Sequence, residues 1–101
     1  VELNRLPVIA EAASQFSSGS ATGASTRNWA SYGEAVDLAQ GLEEWQQMIV
    51  TDPQTSGGLL VPGAAEAADQ VLDAFRADGF DQAAVIGRMG AVADAPRLSV
   101  I

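Results

Sequence analysis

Asp52, Gln54, Thr55 and Ser56 place a carboxylate, an amide and two hydroxyls just ahead of the pair Gly57-Gly58 in the stretch TDPQTSGGLL, Thr51 to Leu60. Two chemistries are open to that spacing. Asp52 can cap the turn that follows it, Pro53 fixes φ at the start, and two glycines can take dihedrals closed to other residues. That describes a tight turn feeding the apolar run Leu59-Leu60-Val61. The same backbone can also aim successive N–H groups at an anion, or let a ligand come close. Asp52, Gln54, Thr55, Ser56, Gly57 and Gly58 are therefore the candidate site residues. Asn28, with Thr26 and Arg27 beside it, is a further candidate donor. No metal-ligating set is defined, because a turn cap at Asp52 would use the atoms a metal would.

The remaining composition excludes more than it offers. There is no His, Cys or Lys in the 101 residues, so a general base would have to be a carboxylate and a nucleophile Ser, Thr, Tyr or a carboxylate. Neither GxxxxGK[ST] nor GxGxxG occurs. No catalytic residue is assigned within the chain. Arg88, in Gly87-Arg88-Met89-Gly90, could reach a phosphate or pair with a surface carboxylate.

Five Arg against thirteen acidic residues give a net charge of -8. That field repels phosphate backbones and anionic lipid, so nucleic acid and membrane surfaces are poor partners. Contact with ATP would need Mg²⁺ or basic groups from another segment. No apolar run approaches the roughly 18 to 20 residues of a membrane span. An acidic chain without cysteine fits the cytoplasm. The chain starts at Val1 and reads as a fragment.

The elements that must position the candidates follow from periodicity. Asn4 can cap a helix from about Arg5 to Ser17, with Pro7 in its first turn and Leu6, Ile9, Ala13 and Phe16 on one face. Residues 18–34, rich in Gly and Ser, are expected to be a flexible loop, either pinned to the core by Trp29 and Tyr32 or closing over a ligand. Ala35 to Val50 suits one or two short helices divided at Gly41, with Trp45 inward. Gly58 to Val61 reads as a buried strand. A strongly amphipathic helix follows, with Val71, Leu72 and Phe75 on its apolar face and Gly79 as its stop. Ala83 to Gly87 and Arg97 to Ile101 read as strands. The predicted class is α+β, a layered α/β sandwich with helices packed on a mixed sheet.

The run Asp52-Pro-Gln-Thr-Ser-Gly-Gly-Leu-Leu60 resembles the DPQTSGGLL signature of selenophosphate synthetase, or selenide, water dikinase. Leu3-Asn4-Arg5-Leu6-Pro7 is similar to the family's LNxLP segment. The small-residue stretch from Gly23 to Asn28 and the strand Ala83-Ala84-Val85-Ile86-Gly87 are similar to two more of its segments. The resemblance implies a partial C-terminal domain, residues 1–101, of the aminoimidazole ribonucleotide synthetase type. It implies a parent enzyme that makes selenophosphate, AMP and phosphate from selenide, ATP and water with Mg²⁺, as a homodimer with an upstream N-terminal domain. The reactive Cys or selenocysteine, its neighbouring Lys and the metal-binding aspartates of the family belong to that upstream part. Its TDVTGFG-type segment is absent here, and Ala21 to Thr26 replaces the Pro-Gly-Thr pattern before the Asn. Under the resemblance, Asp52 to Gly58 faces the active site or a domain interface, and the chain alone is not catalytic. Two alternatives stay open: a binding or dimerisation module, and a related ATP-dependent enzyme with another substrate.

Overall fold

In the computed structural model, residues 1–92, 94 and 97–101 are described. Pro7 decides where the first helix begins. A proline disfavours helical dihedrals in the residue before it, and Leu6 is extended at φ -66° and ψ 128°. The helix expected from Arg5 is therefore split into a 3-10 turn, Leu3–Arg5, and α1, Ala10–Ser17. Asn4 lies inside the turn and caps nothing.

The predicted loop over residues 18–34 is a correction. Thr22 caps a second helix, α2, Gly23–Tyr32. Trp29 is a half-buried helical residue whose indole lies over Gly33 of the same segment, and Tyr32 stays largely exposed. A 3-10 turn at Gly33–Ala35 then leads into strand β1, Val36–Leu38, where helix was expected. Gly41 does separate β1 from the next helix, α3, Glu44–Val50. The Glu43 N–H donates to Gln46 Oε1 at 2.8 Å, satisfying a donor at the α3 N-terminus.

The strand expected at Gly58 to Val61 does not form. A strand needs a partner for its backbone, and among the described residues none lies beside this segment. Leu59 and Leu60 are instead 80% and 75% exposed. The amphipathic helix is present as a 3-10 turn, Ala65–Ala67, continuing into α4, Ala68–Ala77. Its end is satisfied by two backbone bonds, Gly79 N to Arg76 O at 2.9 Å and Phe80 N to Phe75 O at 2.9 Å, with Gly79 at φ +90°. The Phe75 and Phe80 rings meet edge to face at 6.3 Å, which completes a Schellman stop.

The last strand, β2, is Leu98–Val100, and it pairs in parallel with β1: Val36 faces Leu98, Asp37 faces Ser99 and Leu38 faces Val100. The sheet among the described residues is thus parallel, where a mixed one was expected. Val1 to Leu3 runs along the same segment through Val1 N to Ser99 O, Ile101 N to Val1 O and Leu3 N to Ile101 O, at 2.6 to 2.8 Å. Ile86 O accepts from Glu2 N at 2.8 Å, so the strand expected at Ala83 to Gly87 reduces to that bond. Helices α1 and α2 pack on α3. The result is the α+β class expected, four α-helices with a small sheet. Val100 is the one hydrophobic side chain fully buried among the described residues.

Candidate functional site

The TDPQTSGG stretch begins where α3 ends. Thr51 Oγ1 turns back to the carbonyls of Gln47 and Met48 at 3.0 and 3.2 Å, satisfying acceptors left over at the helix terminus. Thr51 is buried, and its own carbonyl accepts from Asn28 Nδ2 at 2.8 Å. Asn28 is thereby brought to the loop, with a carbonyl rather than a ligand as its partner.

Asp52 is the next residue, and its carboxylate closes a second set of contacts. Oδ1 lies 3.3 Å from Ser25 Oγ and 3.4 Å from Thr22 Oγ1, and Oδ2 accepts from Gln54 Nε2 at 3.1 Å. Thr22 and Ser25 are themselves 3.1 Å apart. Each hydroxyl owns one proton, so the contacts among these three residues share two protons, and Asp52 always receives at least one of them. Thr22 Oγ1 also accepts from Ser25 N at 3.3 Å, which caps α2. The Asp52 carboxylate consequently sits at the N-terminus of α2, where the helix dipole favours negative charge. Asp52 was expected to cap its own turn; it reaches back across the sequence instead.

Past Gln54 the loop is exposed. Gly57 and Gly58 have φ of +122° and +43°, the dihedrals the sequence anticipated for them. Thr55 and Ser56 are exposed. A shallow depression lined by Gln15, Phe16, Ser20, Thr22 and Asp52 opens between the end of α1 and the start of α2. Thr26 and Arg27 are exposed and take no part in these contacts. Among the described residues the ion pairs are Arg5 with Glu2 and Arg76 with Asp73, so Arg88 has no carboxylate partner there.

Chemically this is a holding arrangement. No three acidic side chains gather among the described residues, and both Asp52 oxygens are occupied by donors of the chain itself. That donor set does not fit a Mg²⁺ site, which wants several oxygen ligands around one ion. Sequence reasoning missed Thr22, Ser25 and Thr51. The available signal was the spacing of Ser25, Asn28, Trp29 and Tyr32, which is helical but half polar.

The chain is similar to one part of several longer proteins. The chain is 60% identical over 84 residues to the selenide, water dikinase of Burkholderia orbicola, covering 83% of the chain and 24% of that protein. It is 48% identical over 100 residues to the enzyme of that name in Pseudomonas straminea, covering 99% of the chain and 28% of the relative. With the selenide, water dikinase of Rhizobium meliloti it shares 42% identity over all 101 residues, again 28% of the relative. Over most or all of its length the chain is thus similar to one part of proteins named selenide, water dikinase. It spans about a quarter of the length of these relatives. No family model and no solved structure matches. Because the Rhizobium match runs end to end, α2, α3 and the Asp52 to Gly58 loop all lie within the region shared with selenide, water dikinases.

Proposed function

We propose that this chain is the C-terminal part of a selenide, water dikinase, an enzyme that makes selenophosphate from selenide and ATP with release of AMP and phosphate. The observation that carries the reading is the identity of 42 to 60% across most or all of the chain to proteins of that one name. In this reading the chain supplies no nucleophile and no general base, in keeping with its lack of His, Cys and Lys. Its part is the loop Asp52 to Gly58, which contributes exposed hydroxyls and backbone N–H groups to a cleft wall or domain interface. The upstream domain brings the reactive groups and the Mg²⁺, which the donor set described above does not accommodate. A homodimer and a cytoplasmic setting belong to the same reading; the outward-facing apolar residues support coverage by further protein. No helix is long and apolar enough to cross a membrane among the described residues.

Phosphorus NMR of ATP, Mg²⁺ and selenide with the full-length protein should give the selenophosphate resonance together with AMP and phosphate. The 101-residue chain alone should give none. A full-length protein that consumes ATP without forming a phosphorus–selenium bond would overturn the reading and favour another ATP-dependent substrate.

A further inference from the structure

Two anchors tie the start of the DPQTSGG loop to one helix. Ser25 is completely buried, yet it is a hydroxyl residue with no apolar reason to be there, and its Oγ reaches Asp52 Oδ1 at 3.3 Å. One turn further along α2, Asn28 Nδ2 donates to Thr51 O at 2.8 Å. The contacts fall on consecutive residues of the loop side, Thr51 and Asp52, and on one stripe of the helix side, Thr22, Ser25 and Asn28 at intervals of three. They are the side-chain hydrogen bonds that cross from α2 to the α3 end among the described residues. Beyond them, residues 53 to 58 are exposed, and the next regular structure starts only at Ala65. A loop so free at its far end has its position set at its near end.

We propose that Ser25 and Asn28, with Thr22, are positioning residues that hold the Asp52 to Gly58 loop in its working geometry. This rests on the reading of that loop as a cleft element, given above. Neither residue touches substrate in this account. Each acts through Asp52 or the Thr51 carbonyl, so that Gln54, Thr55 and Ser56 project from a fixed base and the ordering is complete before substrate arrives. The chemistry also distinguishes the two anchors. Ser25 needs only an acceptor opposite it, which Asn can supply at position 52, whereas Asn28 needs the backbone carbonyl and is indifferent to the side chain there.

The test uses the full-length protein and two readouts, amide hydrogen exchange resolved to Thr51 and Asp52, whose N–H groups donate to Met48 O and Ile49 O, and kcat/KM for ATP in selenide-dependent turnover. Ser25→Ala and Asn28→Ala should each speed exchange of those amides by about three- to ten-fold, the loss of one hydrogen bond, while exchange in α4 stays as in the parent. kcat/KM should fall by a similar factor. Asp52→Ala should match Ser25→Ala in exchange, combining the two should add little, and Asp52→Asn should restore most of the protection. Unchanged loop exchange in both Ser25→Ala and Asn28→Ala overturns the positioning role. If Ser25→Ala disturbs the whole protein, α4 exchange reports it, and the exposed Thr22→Val variant carries the same comparison. Faster loop exchange with unaltered kcat/KM supports the anchors and overturns the placement of the loop at the cleft.

Discussion

Gly33 and Gly57 show two different reasons for having no side chain. Gly33 has an ordinary helical φ of -56°, but a Cβ there would sit 2.8 Å from Trp29 Cε2 and 2.9 Å from Cδ2. By propensity alone alanine would gain up to about 1 kcal/mol at this position. Pushing an indole off its seat costs about 1 to 3 kcal/mol, so the clash wins. Gly33→Ala should therefore lower the urea midpoint of the full-length protein and shift Trp29 emission; a stabilised variant would show the ring free to move. Gly57 has nothing within 4 Å of its would-be Cβ, but its φ is +122°. The constraint there is the backbone, and Gly57→Val should cost about 1 to 3 kcal/mol or force the turn to flip. Gly63→Val, equally open but without a positive φ, should change stability by less than about 0.5 kcal/mol. Equal effects at residues 57 and 63, read by turnover and loop exchange, would remove the special role of the Gly57 backbone.

At the scale of elements, α2 and α4 mark the limits of what the sequence makes legible. The α4 stop is written in local terms: a phenylalanine three residues before the cap, Gly79 at the left-handed position and a second phenylalanine after it, each readable without knowing the fold. Replacing Gly79 with Ala should cost about 1 kcal/mol, seen as a loss of helical circular dichroism at intermediate urea. For α2 the inward stripe is Ser25, Asn28 and Trp29, and two of the three are polar because what they face is Asp52 and the Thr51 carbonyl. A search for apolar periodicity passes over such a helix, and the Gly and Ser content argues for a loop. Besides that spacing, its N-cap, Thr22, was a second readable clue. Thr22→Ala should cost about 1 kcal/mol and loosen the Asp52 contact together with the helix start; loss of one without the other, by exchange at α2 and at Asp52, would separate capping from anchoring. The loop's own backbone was legible in its glycines, while its anchors, brought from about 25 residues upstream, were not. The apolar run at Leu59 to Val61 shows the converse failure: composition indicates burial but cannot say by what.

That last point becomes a matter of area for the whole molecule. The chain exposes 7746 Å², where a folded monomer of 10.4 kDa should expose about 5,400 Å². Its radius of gyration is 14.6 Å, against about 12.7 Å for a compact domain of this length. The excess is partly apolar, with Ile9, Leu59, Leu60, Phe80 and Met89 all more than half exposed. Burying one such side chain is worth about 1.5 to 3 kcal/mol, so leaving several in water removes a stabilisation comparable to the whole net stability of a small domain. The chain on its own should then lack a cooperative transition. We expect a broad thermal melt followed by circular dichroism, strong binding of a hydrophobic dye, and rapid exchange at Leu59 to Val61, with the same amides protected in the full-length protein. A sharp melt above about 45 °C, typical of an autonomous domain, would mean that these side chains find one another within the chain. Small-angle scattering decides between the two: a radius of gyration at or above the 14.6 Å described here places the missing contacts outside the chain, and contraction to about 13 Å places them inside it.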